Sequence, residues 1–488
     1  MDGTSQPLAR DERPTGWGVT KTLVVGALIV SVGFGTNVVA RGAVLNQQSL
    51  SVLAPIAPVL GLGFDAKTDT GSLSAIARIV GAQKLWQAGG TGKGVDVALI
   101  DTGVTPVPGL DHGNVIHGPD LSFDSQTPSL AHLDGFGHGT HMASIIAGSD
   151  EIDGSAASCA DCLNDSPYSD VTKFEGIAPQ ARVISIKVGA SDGAVDVTQM
   201  VAGIEWAIAH RHDEGKNIRV INISYGTNSA QSYMADPIAF AAEKAWNAGM
   251  VVVASGGNDG LAVRQLGSPA YSPTVLSVGT SDPNDTIAAN NDTIPHWANH
   301  GTSDRPVDVV APGVHVLGLR VPGSVLDIAN PNAVVGSRFF RGSGTSQSAA
   351  VVSGLVADIL QLFPTLKPDQ VKQLLRAFAS PIGAPGDGFE YARGQGVVEG
   401  SQVNLVAVKQ LLLGTKRAPA SLGTGTLEAA RGGEYVSDGT NLLTGEIDIF
   451  GSPWSPVEWT ADAESGSNWV DGIWTPTARM FRPLASPR

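Results

Sequence analysis

The sequence predicts a three-layer α/β domain built around a parallel sheet, and three observations predict it. The runs at residues 95–100 and 250–254 are apolar almost throughout, which is the pattern of strands buried on both faces. Other segments repeat apolar residues three and four apart, the period of a helix with one face on a core. Hydrophobic residues make up 42% of the 488-residue chain, enough for a sizeable core, and 60 glycines suit a fold with many tight turns. Short apolar strands alternating with such helices imply parallel neighbours joined by crossover helices.

Along the chain, Arg10, Arg13 and Lys21 precede an apolar stretch at residues 23–34, and Val38-Val39-Ala40 supplies small residues of the kind signal peptidase prefers. Residues 1–40 are therefore expected to be a signal peptide cleaved after Ala40, giving a secreted protein. The alternative is an uncleaved anchor, because the weakly polar stretch approaches spanning length. Residues 41–75, rich in Pro, Gly, Leu and Ser, are too few for an independent domain of ordinary size and read as a short pro-segment or linker. The main domain is expected over residues 76–415. Its strand at 95–100 ends at Asp101, and Thr102-Gly103 forms the turn leaving it. His138 opens a helix that carries Met142, Ile145 and Ile146, with Gly148 as its stop. Residues 198–210 place Val201, Ile204 and Ile208 on one helix face. Asp236 suits an N-cap, Pro237 the first helical position and Gly249 the stop. Ser346 opens a long helix through Val351, Val352, Leu355, Val356, Ile359 and Leu360, which Pro364 stops. Pro368 begins another, with Val371, Leu374, Leu375 and Phe378 inward.

Three of these positions bear chemistry. Open α/β sheets place their sites at the carboxyl ends of strands, which is where Asp101 lies. A serine hydroxyl is a weak nucleophile and needs an adjacent base. Histidine suits that task near neutral pH, and a carboxylate behind the ring fixes its tautomer and stabilises the imidazolium. Asp101-Thr102-Gly103, His138-Gly139-Thr140-His141 and Gly344-Thr345-Ser346 supply these groups in the order Asp, His, Ser. Ser346 alone reads equally well as an N-cap; beside Asp101 and His138 it reads as a nucleophile. Ser255-Gly256-Gly257-Asn258 follows the strand at 250–254, and the Asn258 amide can donate to a developing oxyanion. Without the other segments it would be an ordinary turn.

With this motif order the chain resembles the subtilisin-like serine proteases (subtilases) of the secreted bacterial type. The resemblance extends over about residues 76–410, through Gly176-Ile177-Ala178-Pro179, the strand at 182–188, the strand at 220–223 and Val309-Val310-Ala311-Pro312-Gly313. It implies a subtilisin-like fold and a secreted serine endopeptidase with Asp101, His138 and Ser346 as the triad. It assigns the oxyanion hole to Asn258 and the Ser346 N–H, with an acyl-enzyme intermediate. It places Ser224, Tyr225 and Gly226 on one wall of the primary specificity pocket and Ser255, Gly256 and Gly257 on the other. Protein or peptide substrates would bind there as an added strand. No cofactor is required for the chemistry, and structural calcium is an expectation without assigned ligands.

The chain departs from the family after Ser346, where Gln347-Ser348-Ala349-Ala350 replaces the usual Met-Ala-Ser-Pro. Met142-Ala143-Ser144 replaces Val-Ala-Gly after the histidine. These changes motivate an alternative, a catalytically weak or inactive cell-surface binding protein on the same scaffold. An esterase of the α/β-hydrolase type fits poorly, since the serine lacks a Gly-x-Ser-x-Gly setting and the acid and base precede it.

A formal net charge of −15 argues against a nucleic-acid partner, which needs a basic footprint. Cys159 and Cys162 cannot make a four-thiolate site and are expected to form a small disulfide in an exported protein. The acidic residues around them, from Asp150 to Asp170, read as a solvated loop rather than a metal site. Residues 416–488 read as a C-terminal tail. Trp454, Trp459, Trp469 and Trp474 fall on a five-residue grid there, which matches neither helix nor strand. They are either an exposed docking surface for cell wall, glycan or protein or packed on the main domain. As an appendage, the tail would be removable without loss of peptide hydrolysis.

Overall fold

The computed structural model describes residues 62–150, 166–260, 263, 265–410, 418–437, 440–470 and 473–474. The expected signal peptide, residues 41–61 of the pro-segment, Cys159 and Cys162, and Glu151, Asp153, Asp161 and Asp165 lie outside these residues.

Two short helices, α1 (Leu73–Ile79) and α2 (Ala82–Gln87), lead into strand β1 (Asp96–Asp101). Strand β2 (Val115–Asp120), helix α3 (His138–Ala147), strand β3 (Arg182–Lys187), helix α4 (Val197–Ala209) and strand β4 (Ile218–Ile223) follow. Then come helix α5 (Pro237–Asn247), strands β5 (Val251–Ser255), β6 (Leu276–Ser281) and β7 (Val309–Pro312), helix α6 (Thr345–Leu362) and helix α7 (Pro368–Phe378). The seven strands form one sheet in the order β2-β3-β1-β4-β5-β6-β7, and every ladder in it is parallel. From β1 the chain builds outward to β2 and β3, then crosses back to lay β4 on the other side. That reversal beside β1 is the topological switch at which open α/β sheets place their sites.

Four strands are buried along their whole length: every residue of β1, β5, β6 and β7 is buried. This is why the sequence shows continuous apolar runs rather than alternation. The predicted helix signals act as expected. Asp236 caps α5 by accepting from Ala239 N at 2.9 Å, with Pro237 at the first position. Helix α6 is buried along most of its length and packs against β4, β5, β6 and β7. The usual family proline is Ala350 here, and the helix runs through that position without a break.

Residues 62–75 pack on this domain rather than standing apart. Leu62, Ala66 and Leu73 belong to the core, Leu317 N donates to Gly71 O at 2.8 Å, and Arg341 forms an ion pair with Asp69.

The C-terminal residues also fold onto the main domain. Helices α8 (Leu427–Arg431) and α9 (Pro456–Ser465) and a two-stranded ribbon of β8 (Trp469–Val470) and β9 (Ile473–Trp474) lie over α4 and α5. Trp454, Trp459 and Trp474 are buried members of the core. The Nε1 groups of Trp459 and Trp474 donate to the Glu205 carboxylate of α4 at 2.8 and 2.5 Å, and Asn468 Nδ2 does so at 2.6 Å. Trp469 Nε1 donates to Ala202 O at 3.1 Å. Of the two readings of the tail tryptophans, an exposed docking surface and packing on the main domain, these contacts favour packing. The grid fits no single helix or strand because its tryptophans come from different elements, two of which, Trp459 and Trp474, meet on one buried carboxylate.

Candidate active site

Asp101 is the last residue of β1 and is 1% exposed. His138 begins α3, and its Nδ1 lies 2.8 Å from Asp101 Oδ1 and 3.0 Å from Oδ2. A carboxylate accepts only, so Nδ1 carries the proton and Nε2 is left as the base. Burial alone would lower the His138 pKa, but the Asp101 charge, the hydrogen bond to it and the Asp134 charge together raise it above the usual histidine value.

A second acid holds this pair. Asp134 is buried and accepts from Gly137 N and Thr140 N, each at 2.7 Å, and from Thr102 Oγ1 at 2.8 Å. It thereby caps the first turn of α3. Thr102 Oγ1 also lies 3.2 Å from Asp101 Oδ1 and accepts from Gly139 N at 2.9 Å. Gly137 sits at φ 102°, which favours glycine, and delivers the chain into the helix. Burial raises the Asp134 pKa against the lowering effect of its hydrogen bonds. The sequence reading missed Asp134 and the role of Thr102, although an Asp just before a helix start is a capping signal.

Ser346 is the second residue of α6 and is 6% exposed. Its Oγ donates to Ser224 O at 3.2 Å, and Ser224 Oγ contacts Ser346 O at 3.4 Å. The hydroxyl is turned to the pocket wall rather than hydrogen-bonded to His138. A rotation about its side-chain bond is needed to reach the base, consistent with catalytic hydrogen bonds that tighten only around substrate. Asn258 follows Gly257, whose φ of 113° makes the sharp exit from the strand. Thr345 N and Oγ1 meet Asn258 Oδ1 at 2.9 and 3.0 Å. The amide is thereby oriented with its Nδ2 free to donate, close to the N-terminus of α6, whose dipole also favours an anion. Thr345 is thus a positioning residue that the sequence reading passed over, although it adjoins the serine.

Strands β4 and β5 are neighbours, so Ser224-Tyr225-Gly226 and Ser255-Gly256-Gly257 leave the sheet side by side. Gly267 N donates to Gly256 O at 3.1 Å, and Ser268 N donates to Thr227 O at 2.8 Å. The stretch 267–268 therefore bridges the two, a feature that could not be read from the sequence. The Tyr225 ring lies 5.9 Å from that of His138, and its hydroxyl contacts Gly193 O at 3.4 Å.

The altered residues around the site have structural partners. Ser348 Oγ donates to Ala311 O at 2.8 Å, and Ser144 Oγ accepts from Leu319 N at 2.9 Å. His141 is buried, its pKa lowered to about 4 by that burial, and its Nε2 donates to Phe340 O at 3.1 Å. It is a neutral structural histidine. Among the described residues no group of three or more His, Cys, Asp or Glu is arranged to hold a metal ion, so no calcium ligands are assigned. Asp150 of the acidic loop is paired with Arg338.

A serine, an imidazole and a buried carboxylate at the switch point of a parallel α/β sheet define a serine-peptidase class of site. The comparisons agree: the profile of the subtilase family matches residues 92–406, and the chain belongs to that family. It is 34% identical over 293 residues to the serine protease AprX of Bacillus subtilis (strain 168), covering 59% of this chain and 61% of AprX. It is 30% identical over 318 residues to subtilisin DY of Bacillus licheniformis, covering 65% of this chain and 93% of that protein. The minor extracellular protease Epr of Bacillus subtilis (strain 168) is 26% identical over 312 residues, 64% of this chain and 39% of Epr.

Proposed function

We propose that the protein is an exported serine endopeptidase that cleaves peptide bonds through an acyl-enzyme. The carrying observation is the buried Asp101–His138 pair at 2.8 Å, set beside the Ser346 helix start and an oriented Asn258 amide. Ser346 Oγ attacks the scissile carbonyl while His138 Nε2 takes its proton, and the same proton then goes to the leaving amine. Asp101 holds the ring and stabilises the imidazolium. Asn258 Nδ2 and the Ser346 N–H receive the oxyanion. Water, deprotonated by His138, then releases the acyl group. The substrate backbone lies between the residues after β4 and those after β5. Export is supported by the N-terminal sequence pattern and by similarity to a protease named extracellular. Among the described residues no helix is long and apolar enough to cross a membrane.

Fluorophosphonate labelling of purified protein, with the adduct mapped by mass and Ser346→Ala as control, tests this. Rapid labelling confined to Ser346 is expected. Folded protein that stays unlabelled, even after trimming of residues 41–61, would sink the reading.

A further inference from the structure

Helix α8 and the residues just after it touch the substrate cleft from outside at two places. The first is the loop 189–196 between β3 and α4. It leaves the sheet beside the triad carboxylate, with Val188 N and Gly189 N both donating to Asp101 O, at 2.8 and 3.3 Å. Gly193 O then meets the Tyr225 hydroxyl. A Cβ added at Gly193 would stand 2.9 Å from the Phe136 ring, two residues before His138. The loop ends at Asp196, which caps α4 through Thr198 N at 3.0 Å. The second place is the stretch that continues the chain after Gly226. Thr227 Oγ1 donates to Ala430 O, and Ala230 N donates to Ala429 O at 2.9 Å. A Cβ added at Gly432 would fall 2.2 Å from Asn228 O, so the two backbones are in direct contact.

Arg431 joins these contacts. It is fully buried, its Nε donates to Asp196 Oδ2 at 2.7 Å, and Asp196 is fully buried too. The rest of the guanidinium fork donates to Gly445 O at 2.6 Å and Ile447 O at 2.7 Å. A buried ion pair is a weak source of net stability compared with apolar packing, and fixing one arrangement is its better-attested use. The planar fork suits that use, since its donors have fixed directions.

We propose that residues 427–437 and 440–447 are a strap that sets the separation of the 189–196 loop from the residues after β4, and that Arg431 is its positioning residue for extended peptide substrates. The inference rests on the endopeptidase reading above. A peptide long enough to touch both the 189–196 loop and the residues after β4 senses that separation. A small ester that reaches only Ser346 and Asn258 does not.

The test uses the full chain, wild type against Arg431→Met and Arg431→Lys. An extended chromogenic peptide is compared with p-nitrophenyl acetate, whose burst reports acylation of Ser346. Arg431→Met should lower the ratio of peptide kcat/KM to ester acylation rate roughly tenfold, mainly through KM, as expected when uniform substrate binding is lost. Arg431→Lys, which keeps the charge beside Asp196, should recover part of it. A parallel fall in both activities would show a merely structural role, and an unchanged ratio would show an inert strap; either overturns the proposal. If Arg431→Met does not fold, the same ratio in Arg431→Lys decides. A wild type that turns over neither substrate would fail the endopeptidase reading instead, so the two failures are distinguishable.

Discussion

At the scale of single residues, the chemistry depends on which groups are held and which are left free. Asn258 accepts from Thr345 through its oxygen, and in the proposed mechanism its Nδ2 donates to the oxyanion. Asn258→Leu is therefore expected to lower kcat by about 10²–10³ with little change in KM, the usual effect of losing one oxyanion donor. Steady-state kinetics on a peptide substrate check this. The pH profile follows from His138, whose pKa is raised because the Asp101 and Asp134 charges outweigh burial. Only the neutral ring can take the Ser346 proton, so kcat/KM should rise with pH through a midpoint above the usual histidine value of about 6.5. Asp101→Asn should move that midpoint down and lower kcat by about 10⁴, since it removes the charge and favours the wrong tautomer. A profile in Asp101→Asn with an unmoved midpoint would contradict the assignment of that limb to His138.

At the scale of elements, catalytic precision comes from two helix starts and two strand ends. Helix α3 presents His138 because Asp134 accepts from two of the first-turn N–H groups and Thr102 ties that turn to the end of β1. Asp134→Ala leaves the Gly137 and Thr140 N–H groups without their acceptor, while Thr102 Oγ1 keeps Asp101 Oδ1 at 3.2 Å. It should lower stability by about 1–3 kcal/mol, the range for a lost cap and stranded donors. Asp134→Asn, which keeps an acceptor, should lose less. Thermal unfolding of the two variants, with labelling of Ser346 as a second readout, separates a stability effect from a positioning one.

At the scale of the whole molecule, the described residues after 417 pack as part of the main domain. Glu205 is buried beneath them, and burial raises its pKa to about 7 despite three donated hydrogen bonds. The sign follows: a folded pKa above the ordinary 4.5 means that the folded state binds this proton more tightly. This contribution is therefore fully present at low pH and is lost as pH rises from about 4.5 to 7. Glu205→Leu strands the donors of Trp459, Trp474 and Asn468 and should lower stability by about 3–5 kcal/mol, as when one partner of a buried polar cluster is removed. It should also remove that part of the pH slope, which denaturant melts at several pH values would show. Deletion of residues 416–488 uncovers α4 and α5, with Phe240 losing its edge contact to Trp459 at 5.1 Å. The truncated chain should melt at lower temperature and aggregate. Unchanged melting would contradict this account.

Much of the catalytic core was legible in the sequence because its signals are local. A strand buried on both faces is apolar almost throughout, as residues 95–100 are apart from Asp96, which is paired with Arg182. Helix starts carry caps and prolines, as at Asp236 and Pro237, and the order of Asp101, His138 and Ser346 is a property of the chain itself. Tertiary structure decided what depends on residues far apart meeting. Asp134 and Thr345 matter through hydrogen bonds to other segments, and residues 267–268 bridge two walls whose separation no periodicity encodes. The clearest case is the C-terminal tryptophans. Their spacing matched no element and left open whether they were exposed or packed on the main domain. Glu205 lies more than 200 residues earlier on a helix where a glutamate ordinarily faces water. Only the folded chain brings the Trp459 and Trp474 indole N–H groups and that carboxylate together, because each satisfies a polar group that burial would otherwise leave unpaired.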